Sequence, residues 1–195
     1  MQFALFASAA LARTPWKNGG GTTREITCFP AGAGMDDFQW RLSIAEIAAS
    51  GPFSAFAGVD RVITLLEGAG VHLSAADGQI NHALHTPLQP FAFPGDVPLQ
   101  CTVLDGACQD FNVMVRRDWG TPHVALRQQA WALPTHGALL VRRGHWQLQL
   151  ADGQQHLLHA NGQDGAWWSA LPGACSAQPL SADATLLAIT LHPHF

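Results

Sequence analysis

Six consecutive residues, Trp16-Lys17-Asn18-Gly19-Gly20-Gly21, combine an indole, an amine, an amide and three positions without a Cβ. That set could hold a small polar molecule. The indole offers a flat apolar wall, the ammonium a point charge, and the amide both a donor and an acceptor. Glycine lets backbone come close to a ligand, since it has no Cβ and reaches φ > 0 at little cost. Lys17 is the only lysine of the chain, all other basic side chains being arginine. Two simpler sources would give the same pattern: a GC-rich genome that favours arginine, and a tight turn ahead of a strand. The run is not a phosphate loop, because its lysine precedes the glycines instead of following them before Ser or Thr.

Other polar residues stand out by their alternation. Asp110 and Asn112 alternate with Phe111 and Val113, and Arg41 and Ser43 with Leu42 and Ile44, so each polar pair would share one strand face. Arg61 precedes an apolar run that Glu67 ends. Ser43 and Ser54 sit in no nucleophile-elbow motif.

The elements that must position these residues are strands. Short apolar runs alternate with Gly, Pro and Asp throughout, which argues for an all-β sandwich or barrel. Two hairpins are expected, Val62–Leu66 turning at Glu67–Gly70 into Val71–Leu73, and Ala138–Val141 turning at Arg142–Gly144 into His145–Leu150. Each is followed by a similar turn, Ala76-Asp77-Gly78-Gln79 and Ala151-Asp152-Gly153-Gln154. The offset of about 75 residues continues from Phe91–Asp96 to Ala166–Ser169 and from Asp110–Val115 to Leu186–Leu191, an internal repeat. Two copies suggest two packed barrels, with domains over 1–117 and 118–195. A short helix is expected around Ile44–Ala49. Across the repeat, Asp110 and Asn112 fall opposite Leu186 and Ala188. One barrel thus carries polar groups where its twin carries core, and buried polar groups are costly unless paired. The polar chemistry gathers in the first half. An exposed strand face in that half alone is the plainer explanation.

Composition excludes several classes. The chain has 195 residues, is 48% hydrophobic and only 12% charged, so it can bury a substantial core. A net charge of −4 with no basic run argues against nucleic acid as a partner. Cys28, Cys101, Cys108 and Cys175 show no CxxC spacing and read as reduced, mostly buried thiols of a cytoplasmic protein. The apolar stretch from Phe3 to Ala12 lacks a basic start and reads as an opening strand and turn rather than a leader. No run has the length of a membrane helix, so no membrane partner is expected.

The ordered motifs Pro15–Glu25, Trp40–Glu46, Gly51–Ser54, Gly58–Arg61, Leu65–Gly68, Gly95-Asp96 and Asp110–Met114 together resemble the HutD/Ves family of bacterial proteins. They cover roughly residues 15–117. The resemblance implies a bicupin, two small jelly-roll β-barrels of the cupin kind, in line with the repeat. It also implies a link to histidine utilisation, through binding of a pathway intermediate such as N-formylglutamate that limits pathway expression without catalysis. The Ves branch is instead associated with cold or stress responses.

Many cupins hold a metal through a His-x-His pair, a glutamate and a further histidine. This chain has ten histidines but none within Gly58–Gly70, where the first metal motif would lie. The second motif would put a histidine shortly after Pro94-Gly95, where the chain reads Asp96-Val97-Pro98. His192 and His194 flank a proline near the C-terminus without further fixed ligands. No metal and no other cofactor is expected.

The expected ligand is a small anionic metabolite, a dicarboxylate or acylated amino acid held in the first barrel. Lys17, Arg41 and Arg61 supply cations, with Arg24 a weaker candidate that could pair with Glu25 or Glu46 instead. Ser43 shares the face of Arg41. Asn18, Asn112 and Asp110 could fix a formyl-amide, and Trp16, Phe53 and Phe93 could wall the pocket. Arg61 could equally form a structural corner with Asp60, Glu67 stabilise its turn, and Arg116-Arg117 be a solvated exit. The alternative function is a metal-independent cupin enzyme, an isomerase or hydrolase with Asp110 or Glu46 as general base. A homodimer is among its possible assemblies.

Overall fold

Strands form wherever short apolar runs lie between Gly, Pro and Asp, and they assemble into two units of the same construction. The computed structural model describes residues 1–194, and the one helix among them is a 3-10 turn at Ser8–Ala10. The chain opens with β1 (Gln2–Phe6). It continues with β2 (Arg13–Pro15), β3 (Gly21–Phe29), β4 (Trp40–Ile47), β5 (Gly51–Phe53) and β6 (Val59–Glu67). Next come β7 (Val71–Ala75), β8 (Asn81–Leu84), β9 (Pro90–Pro94), β10 (Leu99–Val103) and β11 (Cys108–Arg116). The repeat follows with β12 (Gly120–Arg127), β13 (Trp131–Ala132), β14 (Gly137–Arg143) and β15 (His145–Gln149). It ends with β16 (Gln155–His159), β17 (Gly165–Ser169), β18 (Ser176–Pro179) and β19 (Thr185–Pro193).

One unit comprises Ala12–Pro122 with Pro193 and His194. Its sheets, ordered β2-β3-β4-β11-β6-β9 and β5-β10-β7-β8, close over a core that includes Ile47, Ile63, Leu65, Leu73, Leu99 and Cys101. The other comprises Met1–Leu11 and His123–His192. Its sheets run β1-β17-β14-β19-β12 and β13-β18-β15-β16 around Leu139, Trp146, Leu148, Leu158, Trp168 and Leu186. Without the added edge strands the orders coincide: β4-β11-β6-β9 matches β12-β19-β14-β17, and β5-β10-β7-β8 matches β13-β18-β15-β16. Each unit is therefore a jelly-roll barrel, and the sequence repeat is a repeat of topology.

Three expectations need correction. The strands flanking Glu67–Gly70 do not pair, nor do those flanking Arg142–Gly144. Both glycine turns are corners where the chain passes from one sheet to the other, with Gly68, Gly70 and Gly144 at positive φ. A Cβ on Gly70 would lie 1.9 Å from the Leu84 carbonyl oxygen, so this corner excludes larger residues. The true hairpins lie one turn later, β7 with β8 and β15 with β16. There Asp77 and Asp152 accept from the amides of Gln79 and Gln154 at 3.1 and 3.0 Å. Second, Ile44–Ile47 is strand, because β4 is laddered on both sides by β3 and β11. Third, residues 1–11 do not belong with the sequence that follows them: β1 pairs with β17, Phe3 opposite Trp168.

All four cysteines are free, three of them buried and Cys28 partly so. Burial pushes the Cys101 thiol up to about 12 and that of Cys108 to about 11, which leaves them unreactive. Among the described residues no helix is long and apolar enough to cross a membrane.

Candidate functional site

Alternation along β4, β11 and β6 decides which side chains face the interior of the Ala12–Pro122 barrel. Register sets Asn112 opposite Ser43, Asp110 opposite Ala45, and Met114 opposite both Arg41 and Arg61. Further along the same face come Ile47, Ile63, Leu65 and Cys108, which belong to the core. The barrel interior is thus apolar at one end and polar at the other. At the polar end lies a cavity of about 530 Å³.

Trp16, Lys17, Asn18, Arg41, Ser43, Phe53, Arg61, Asp110 and Asn112 all line this cavity. Phe93 does not. It is buried in the core, with its ring 5.2 Å from the Arg61 guanidinium carbon, so it supports a lining residue from behind. Met114, Ala45, Thr23, Pro15, Pro52, Ser54, Phe56 and Met35 complete the lining and were not anticipated. Two of them had a signal available, since Met114 continues the alternation of Asp110 and Asn112, and Ala45 that of Arg41 and Ser43. Arg24 lies outside the lining and donates to Gln109 Oε1 at 2.8 Å.

The lysine segment forms the rim through a compact turn. The Trp16 amide donates to the Gly21 carbonyl at 2.9 Å, the Gly19 amide to the Trp16 carbonyl at 3.0 Å, and the Gly20 amide to Asn18 Oδ1 at 3.0 Å. Trp16 Nε1 donates to Thr23 Oγ1 at 2.7 Å, which fixes the indole. Gly21 permits this closure, because a Cβ there would stand 2.1 Å from the Glu46 carbonyl oxygen and 3.0 Å from the indole. The glycines thus build a tight turn, and that turn lies at the edge of the cavity. Lys17 is exposed at the rim.

Arg41 Nε is paired with Glu25 at 2.8 Å, and its Nη1 donates to Ser43 Oγ at 3.3 Å. Arg61 makes no corner with Asp60, which accepts from Arg117 at 2.8 Å. Arg117 also reaches Asp96, and Arg116 donates to the Phe38 carbonyl at 2.8 Å, so neither is merely solvated. Glu46 pairs with Arg13 outside the cavity lining and is no general base for it.

Arg61 is 4% exposed and donates from Nη1 to the Ser54 carbonyl at 3.1 Å. Its guanidinium carbon lies 4.5 Å from the Phe53 ring centroid and 5.5 Å from that of Phe56, a partly aromatic cage. Asp110 is 1% exposed and Asn112 7%. Both Asp110 carboxylate oxygens, Asn112 Oδ1 and Arg61 Nε lack a hydrogen-bond partner in the protein. Asp110 and Arg61 sense each other's charge without meeting as an ion pair. Burial pushes Asp110 up to about 6; Arg61 and the nearby backbone amides of Ala45 and Asp110 oppose the rise, although neither amide has full hydrogen-bond geometry. Burial brings Arg61 down to about 10, still charged at neutral pH. In the second barrel the register counterparts of Asp110, Asn112 and Arg61 are Leu186, Ala188 and Gly137, so the same space is packed.

The HutD family model matches residues 8–187. The chain belongs to the HutD family. A Pseudomonas putida relative, an uncharacterised 21.2 kDa protein in the region 3′ of hutC, is 49% identical over 113 residues. That match spans 58% of each chain, so this chain covers little more than half the relative's length. HutD from Pseudomonas fluorescens SBW25 superimposes with a TM-score of 0.75 at 32% identity, covering 98% of this chain and 100% of that one. A conserved Pseudomonas aeruginosa PAO1 protein of unknown function gives 0.85 at 32% identity, with the same coverage. The family is thereby tied to the histidine-utilisation locus. Lactobacillus farciminis oxalate decarboxylase, at 10% identity and a TM-score of 0.66 over 98% of this chain and 87% of its own, places the fold among the cupins.

A metal of the kind other cupins bind does not fit this cavity. Its lining holds no histidine or cysteine and a single carboxylate, beside Lys17, Arg41 and Arg61, whose charges oppose a cation. Among the described residues no group of three His, Cys, Asp or Glu side chains is arranged to bind one.

Proposed function

We propose that this member of the HutD family binds a small carboxylate metabolite of histidine utilisation, N-formylglutamate or a close analogue, and modulates the pathway without catalysing a step. One observation carries the reading. Buried, charged or polar side chains face a cavity with hydrogen-bonding atoms that the protein leaves unpaired. An unpaired buried polar atom costs about 1–3 kcal/mol, more when charged, and a ligand that completes it recovers that cost. Arg41, Arg61 and Lys17 supply the charge for carboxylate groups, with arginine suited to two-point contacts. Trp16, Phe53 and Phe56 supply apolar walls. Regulation would act through the metabolite pool or a protein partner.

Asp110 favours a second reading, a metal-independent isomerase or hydrolase, because a buried carboxyl pushed up to about 6 and facing the cavity is suited to general-base chemistry. Titration with N-formylglutamate, urocanate and glutamate, followed by product analysis, separates the two. The first reading expects saturable binding, thermal stabilisation of about 2.7 kcal/mol at a hundred times Kd, and unchanged ligand. A new product would move the assignment to the enzyme, and no binding by any of the three would remove the metabolite reading.

A further inference from the structure

The geometry points to Asp110 as a specificity-determining residue that accepts a hydrogen bond from an N–H of the ligand, so the site selects carboxylates bearing a neighbouring amide N–H over carboxylates without one. This rests on the reading above that the cavity binds a small carboxylate. Cationic lining alone would accept any small anion of suitable size. The unpaired atoms ask for more.

Three of them are acceptors, Asp110 Oδ1, Asp110 Oδ2 and Asn112 Oδ1, against the single donor Arg61 Nε. A simple dicarboxylate brings only acceptors and would set its charge against Asp110. Asp110 and Arg61 face one cavity without touching, so a molecule placed between them must offer an acceptor to the arginine and a donor to the aspartate. A carboxylate with an N–H on the adjacent carbon has both within its own short skeleton. Amide N–H fits better than ammonium, because Lys17, Arg41 and Arg61 line the same space and would repel a second positive charge. Ser43, opposite Asn112 in the ladder, leaves polar surface for the acyl oxygen. The second barrel supports the role from the other side: where Leu186 replaces Asp110, its interior is core.

The test compares N-formyl-L-glutamate with its ester isostere, 2-formyloxyglutarate, in which oxygen replaces the N–H and removes the donor without adding bulk. Binding is measured by calorimetry on the full chain at neutral pH. Loss of a hydrogen bond to a charged acceptor predicts at least about tenfold weaker binding of the ester. In Asp110→Asn the two ligands should bind within about threefold of each other, since the charged acceptor is gone. Equal affinity of amide and ester in the wild-type protein overturns the inference while leaving the carboxylate site standing. So does full retention of the preference in Asp110→Asn. Glutamate binding more tightly than the amide would assign Asp110 to an ammonium and overturn it as well. Failure of every carboxylate to bind removes both the inference and the reading beneath it. The amide–ester comparison needs no variant, so the wild-type protein alone decides the matter.

Discussion

Asp110 sets ligand recognition against stability within one side chain. Well below pH 3.8 its carboxyl is protonated in the folded and the unfolded chain alike and makes no difference between them. As pH rises, the unfolded chain ionises first, from 3.8, while the folded one holds its proton to about 6. Stability from this group therefore falls across that window and levels off above it. Asp110→Asn mimics the protonated form, so the ligand-free variant should be more stable than the wild type at pH 7 by roughly 2–3 kcal/mol. The difference should close toward pH 4, as urea denaturation at several pH values would measure. A variant no more stable at pH 7 would mean that Asp110 is paired or hydrated in solution. Alternation and the missing counterparts in the repeat made Asp110 and Asn112 legible in the sequence. The Arg41–Glu25 pair and the Phe56 wall were not, because they depend on loop paths and on partners that no local spacing encodes.

At the scale of elements, the glycine-rich turn and β4 form one device. The Gly20 carbonyl accepts from the Ala48 and Ala49 amides at 2.9 and 3.1 Å, which ties the rim of the cavity to the end of the strand that carries Arg41 and Ser43. Gly21→Ala would push a methyl group into the Glu46 carbonyl and the Trp16 ring, at a cost of about 1–3 kcal/mol for overpacking. Thermal unfolding should show that loss. Intrinsic tryptophan fluorescence should also shift as Trp16 leaves Thr23, and carboxylate affinity should fall although no side chain of the site is altered. An unchanged Tm and unchanged fluorescence would mean that the turn relaxes freely and does not brace the site. Strand positions were readable here from apolar runs, but their partners were not. Turns with a glycine at positive φ serve both the hairpins and the corners between sheets, and only contacts distant in sequence decide which. The Ala-rich Ile44–Ala49 segment carries helical propensity, yet ladders on both sides of β4 override it.

Across the whole molecule, the fold is one jelly roll written twice and modified in opposite ways. The copy with the cavity extends its larger sheet by β2 and β3 beyond β4, and so places the lysine turn beside the strand bearing Arg41 and Ser43. The packed copy gains β1 on its β17 edge instead, drawn from the far end of the chain. Local sequence shows that 2–6 is a strand but cannot show that its partner lies more than a hundred and fifty residues away, which is why a boundary drawn by sequence order misassigns it. The join is specific: the Phe6 ring occupies the space a Cβ on Gly165 would need, with its nearest carbon at 2.0 Å from that position. Phe6→Ala should therefore destabilise the protein by about 3 kcal/mol or more, the cost of emptying a buried aromatic site. Hydrogen exchange can locate the damage. Protection should fall first in β17 and β14, which lie next to the opened edge, and persist in β4, β6 and β11, which carry the cavity. Carboxylate binding should survive under conditions where the packed barrel has begun to exchange. Equal loss of protection in both sets of strands would instead show that the barrels unfold as one cooperative unit, with the strand at the chain's start holding the ligand site together as well.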